Sequence, residues 1–159
     1  MIENWKDTAF GSDFGGDFLE LVENITDDTL TMDLIYTNID VKKYIDNPDV
    51  LKERTDNNVQ FTNSKFEQYI HFEDLIIALS AIIVEAQLNG QVDLTKAFGN
   101  KVLKFQAEKE EIIPIYNALQ TIYNTPDNYV LFEMCMQEER EETLNDIKNI
   151  LTAFEKIVS

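Results

Sequence analysis

One cysteine and one histidine stand in a chain of 159 residues. A lone Cys135 excludes an internal disulfide and a cysteine metal site, and a lone His71 excludes a multi-histidine one. Neither a Ser-His-Asp nor a Cys-His constellation can be argued from this stock. Cys135 lies in Phe132-Glu133-Met134-Cys135-Met136, the setting of a core or subunit-contact thiol; nearby acids disfavour the thiolate a nucleophile needs. Glycine and proline are scarce, at 5 and 3, which argues against a turn-rich all-β fold. No long apolar run exists. The most apolar segment, Leu75 to Val84, is half of the roughly twenty residues that a membrane-spanning helix needs. No basic residue precedes Lys6 and no apolar run follows it, so no secretory signal is expected and the chain is expected in the cytoplasm. The glycines Gly11, Gly15 and Gly16 lack the preceding strand and following Lys-Ser/Thr of a phosphate-cradling loop.

Basic residues are also scarce. Thirteen stand against thirty acids, a net charge of −17. Such a charge repels nucleic acid and anionic membranes, and it attracts and accelerates binding of basic surfaces. Apolar residues make up 44% of the chain, enough for a core, and the length suits one domain over 1–159.

Periodicity of the apolar residues points to an all-α, single-domain bundle of six to eight helices around a central apolar helix at about 72–89. In that helix Leu75, Ile76, Leu79, Ile82, Ile83 and Ala86 form the buried stripe, with Gly90 as the stop signal. Residues 13 to 24 read as a first helix with Asp13 as its cap; Trp5 and Phe10 can fold back on Phe14 and Phe18 to plug one end of the core. Thr26 is a cap candidate for a helix over about Asp27 to Thr37. The segment Asp40 to Lys65 reads as irregular, with a short helix over Pro48 to Glu53 and a polar loop RTDNNVQFTNS. Val92 to Leu103 reads as a short helix, because Leu94, Phe98 and Val102 recur every fourth residue. Helices are further expected over Glu108 to Tyr123, Tyr129 to Met136 and Glu138 to Val158, with Pro126-Asp127-Asn128 as a turn.

Catalytic chemistry is thinly represented. Glu138 with Glu141, and Glu139 with Glu142, have the E-x-x-E spacing that puts two acids on one helix face. Pairs of this kind can hold Mg²⁺ in all-helical nucleotide pyrophosphatases, given a second pair, here Glu20 and Glu23. The plainer reading is a helix start with acids at the positive end of its dipole. Glu85, flanked by Val84 and Ala86, reads as an acid at the edge of the stripe that reaches water, or else as a buried carboxylate. The acids are more telling as a recognition surface, and no catalytic, cofactor or metal residue is assigned. Asp17, Glu20, Glu23, Asp27, Asp28, Glu138, Glu141 and Glu142 are the candidates for contact with a basic protein. Phe14, Tyr36, Tyr44 and Tyr129 are possible aromatic anchors beside them, in competition with the core.

The opening stretch also carries a resemblance. Trp5, Phe10, Asp13, Asp17, Phe18 and Leu19 occupy the places of a W-G-x-G-x-F-x-x-D-x-A-x-D-[FW] motif. ALSAIIVEAQLNG resembles an A-L-A-A-A-x-x-V-A-A-L-x-G helix, and ALQTIYNTPDNYVLFEM followed by TLNDIKNILTAF resembles the C-terminal half of the same pattern. The family is one of small, functionally uncharacterised bacterial proteins, some of which turn up as immunity proteins beside polymorphic toxins. This chain departs from it in having Trp5-Lys6-Asp7-Thr8 for the turn, Phe14-Gly15-Gly16 between the two aspartates, and an apparent insertion over 40 to 65. The resemblance implies an all-α domain without supplying an activity. Together with the charge it makes a non-enzymatic immunity protein that neutralises a basic toxin the leading expectation. The alternatives are a Mg²⁺-dependent nucleotide hydrolase and a phage-encoded nucleic-acid mimic.

Overall fold

The computed structural model describes residues 13–47, 57–63, 65, 69–96, 99–133 and 136–159. In chain order the elements are α1 (Asp13–Ile25), β1 (Thr29–Thr31), α2 (Met32–Asn38), α3 (Lys42–Asp46), β2 (Asn58–Gln60), β3 (Tyr69–His71), α4 (Phe72–Asn89), β4 (Val92–Asp93), β5 (Val102–Gln106), α5 (Lys109–Asn124), α6 (Val130–Glu133) and α7 (Gln137–Val158). Short 3₁₀ turns lie at Leu94–Lys96 and Pro126–Asn128.

The centre is α4. Every residue from Phe72 to Ala86 is buried, as expected of a helix that is apolar nearly all round. It is enclosed by α1, α5 and α7. Gly90 ends it in the left-handed region at φ 75°, with its N–H donating to the Ala86 carbonyl at 2.8 Å. A side chain there would meet nothing within 4 Å, so glycine is favoured by backbone conformation alone. Against α4, α5 and α7 pack lengthwise through Ile112, Ile115, Ala118, Leu119 and Ile122 on one side and Ile147, Ile150 and Phe154 on the other. The rings of Tyr116 and Phe154 meet at 5.4 Å. The start of α5 is closed by a reciprocal capping box between Glu108 and Glu111, which satisfies two amides that would otherwise lack partners.

The fold is mostly helical, with seven α-helices among the described residues, but it is not purely all-α. A three-stranded sheet has the order β1-β5-β4. β1 runs parallel to β5, with Thr29 opposite Lys104 and Thr31 opposite Gln106, and β4 runs antiparallel to β5, with Val92 opposite Leu103. The helix expected over Val92 to Leu103 is therefore replaced by two strands. Burial along β5 alternates, with Leu103 inside and Val102, Lys104 and Gln106 outside, the period-two signature of a strand. The eight-residue separation of Leu94 and Val102, two steps of four, only imitates a helix. The helix expected from Asp27 is likewise delayed. Thr29–Thr31 pairs as a strand first, and Thr31, not Thr26, caps α2 by accepting from the Leu34 N–H at 3.2 Å. The supposed polar loop holds β2, paired with β3 and extended by a bridge from Phe61 to Ile39. Val59 and Phe61 are buried there. The expectations for Trp5, Phe10, the helix over Pro48 to Glu53 and the surroundings of Cys135 lie outside the described residues, as do the side chains of Asp13 and Phe14.

Candidate partner-binding surface

The N-terminal acids meet at the corner where α1 gives way to β1. The last turn of α1 contains no basic residue, so its C-terminal carbonyls need a donor from elsewhere. Lys101, at the threshold of β5, supplies it. Its ammonium donates to the Glu23 carbonyl, to the Thr26 carbonyl at 3.3 Å, and to Asp27 Oδ1 at 2.8 Å. A cation at this place complements the negative end of the helix dipole. The Lys101 ammonium also holds the Asp27 carboxyl below its ordinary range, through the hydrogen bond and its charge. Glu23 fastens the other side of the corner, accepting from the Asn100 N–H at 2.6 Å. Gly99 makes that approach possible: a Cβ there would lie 3.0 Å from Glu23 Oε1 and from the Leu94 Cβ and carbonyl. Thr26 Oγ1 donates to the Thr29 carbonyl at 2.9 Å and Thr29 Oγ1 donates to Asp28 Oδ2 at 2.8 Å, so the connection is bonded along its length.

The eight candidate acids therefore divide. Asp27 is 97% exposed even in its ion pair, and Glu20 and Asp28 are exposed on the same helix end and loop. Glu23 is half-buried and occupied with the Asn100 amide, and Asp17 is half-buried on α1. Glu138, Glu141 and Glu142 are all exposed on the first turns of α7. Glu141 accepts from Gln137 Nε2 at 3.1 Å, and Arg140 within this run pairs with Asp127 at 2.6 Å. Met136, just ahead of the run, is 73% exposed. The aromatic anchors are mostly taken by the core: Tyr44 and Tyr129 are buried and Tyr36 is half-buried.

Among the described residues no three acidic, histidine or cysteine side chains converge in a group that could hold a metal ion. Glu138 and Glu141 are thus not joined with Glu20 and Glu23 in the four-carboxylate arrangement that a Mg²⁺-dependent hydrolase needs. Sequence reasoning missed Lys101, because it placed that residue in a helix, and it missed the buried acids Glu73 and Asp74 at the start of α4. Of the two readings of Glu85 the structure gives the buried one: it is 3% exposed and accepts from Asn89 Nδ2 at 2.7 Å. No helix among the described residues is long and apolar enough to cross a membrane.

No curated protein and no solved structure matches the chain. The family model described as Immunity protein 68 matches residues 1–153, and on that nearly full-length match the chain belongs to the Immunity protein 68 family.

Proposed function

We propose that this protein acts without catalysis, as the cytoplasmic antidote to a basic bacterial toxin, and that one acidic domain does the binding. Family membership supports the immunity role. The observation that carries the choice of surface is the corner at Asp27 and Asp28, where exposed carboxylates sit on a backbone fixed by Lys101 and the threonine hydroxyls. Acids presented on a fixed frame lose little freedom on binding, so more of their attraction appears as affinity. Glu20 extends this face along α1, and Asp17 and Glu23 support it from within. Glu138, Glu141 and Glu142 form the second contact region at the start of α7.

The test is association of the purified protein with the toxin domain encoded beside it, followed by rescue of cells expressing that toxin. The association rate is expected to fall by an order of magnitude or more as salt rises from about 50 to about 500 mM, because exposed charges steer the encounter through a screened field. A rate insensitive to salt would overturn the acidic-face reading. Failure to bind or to rescue at any salt would overturn the immunity reading for that pair.

A further inference from the structure

The start of α4 holds two adjacent acids where a solvated helix terminus would be ordinary. Glu73 is 0% and Asp74 6% exposed. Glu73 Oε2 accepts the Leu131 N–H of α6 at 3.1 Å, which ties the segment 126–133 to the central helix. Glu73 Oε1 is buried and has no hydrogen-bond partner among the described residues. Asp74 Oδ2 lies 3.4 Å from His71 Nδ1. The groups that act on the pair are His71 of β3, Asn57 ahead of β2, and the Leu131 amide; Tyr129, on the covering segment, in turn feels the charge of Glu73. Among the described residues none of these brings a fixed positive charge. Of the charged groups of the covering segment, Asp127 is engaged with Arg140 of α7 at 2.6 Å and Glu133 is exposed.

We propose that Glu73 and Asp74 together retain one proton in the folded protein, and that this proton keeps the segment 126–133 closed over the start of α4. Two ionised carboxylates on consecutive buried residues, with no fixed positive charge at the pair among the described residues, are costly, and the cost is relieved either by keeping a proton or by admitting water. The Leu131 N–H favours charge on Glu73, so the retained proton belongs on Asp74. When solvent takes it, the second charge must be hydrated, and the start of α4 then loosens beneath the segment that the Leu131 bond ties to Glu73. Burial, followed by the Glu73 charge, pushes the Asp74 carboxyl up to about 7, and burial also raises Glu73. Because these values are raised in the folded state, the stabilisation is complete below the ordinary carboxylate range and is lost as pH rises through about 7. The segment should open on the alkaline side.

Amide hydrogen exchange of Leu131 and Phe132 from about pH 5.5 to 8.5, corrected for the intrinsic rate, tests this on the intact chain. Protection in the wild type should fall by about tenfold across that range. In Asp74→Asn it should stay flat, and Glu73→Gln should weaken the decline without abolishing it, because burial still acts on Asp74. Equal declines in wild type and Asp74→Asn, or no decline in the wild type, would overturn the proposal. If neither variant folds, the carboxyl ¹³C titration of the wild type decides. A midpoint for Asp74 near neutrality supports the retained proton, and one in the ordinary carboxylate range ends it.

Discussion

Two aspartates, forty-seven positions apart in the sequence, show how differently one fold can use the same side chain. At the α1–β1 corner Asp27 faces water and pairs with Lys101. At the start of α4 Asp74 is enclosed beside Glu73, with His71 Nδ1 3.4 Å from its carboxylate. The first carboxyl is held below its ordinary range by a cation and the second is driven above it by desolvation. With a net charge of −17 the protein has few cations, and the structure commits one of them to the exposed corner, while no lysine or arginine among the described residues is paired with the interior acids. An acidic surface is therefore only part of what thirty acids do here.

The largest expected effect lies at the buried end. Glu73→Ala removes the acceptor of the Leu131 N–H and leaves a cavity under the covering segment; a loss of about 2–4 kcal/mol in unfolding free energy is expected. Denaturant titration at slightly acid pH measures it. A loss near zero would mean that the 126–133 segment does not depend on this bond.

At the exposed corner the weight falls on the cation. Lys101→Ala strips the Glu23 and Thr26 carbonyls of their donor and frees Asp27, with an expected loss of about 1–3 kcal/mol. Lys101→Met retains the apolar stem and separates packing from charge. Thermal unfolding of the two variants distinguishes them: similar losses would assign the effect to the charge, and a neutral Met variant to the stem.

Charge reversal asks more of the binding surface than of the fold. Asp27→Lys with Asp28→Lys should leave the unfolding transition nearly unchanged, because both side chains are solvated. The same pair should slow association with the toxin by about tenfold at low salt. Glu141→Lys with Glu142→Lys, on the helical run of α7, should slow it by only a few-fold. A larger effect at α7 would move the primary contact to that helix.

How much of this was legible follows from where each signal resides. The central helix is written locally: its apolar stripe and the glycine that ends it lie in one stretch, and the structure begins and ends α4 at Phe72 and Asn89. β5 is hidden, because five residues give too short an alternation to outweigh Leu94 and Val102 at helical spacing. The candidate acids could be named but not sorted. What distinguishes Glu23 from Glu20 is the Asn100 amide, 77 positions away, and what fixes Asp27 is a lysine 74 positions away. Glu73 and Asp74 look from the sequence like ordinary first-turn acids that favour a helix dipole. What marks Glu73 as interior is the Leu131 amide, 58 positions away, which a local pattern does not carry.

The smallest effect expected is also the sharpest form of the opening contrast, since the two aspartates should give stability curves of opposite slope. Asp27 has a depressed value in the folded state, so its contribution is present above its ordinary value of 3.8 and is lost as pH falls through the lower folded value. Asp74 has a raised one, so its contribution is present at acid pH and is lost as pH rises towards about 7. The melting temperature of Asp27→Asn should therefore lie slightly below that of the wild type at neutral pH and converge on it in acid. Asp74→Asn should instead gain on the wild type as pH rises from about 5 to about 8. Parallel curves for Asp27→Asn and wild type down to about pH 2.5 would show that the ion pair with Lys101 is too solvated to contribute; the lysine would then hold the corner through the helix carbonyls alone.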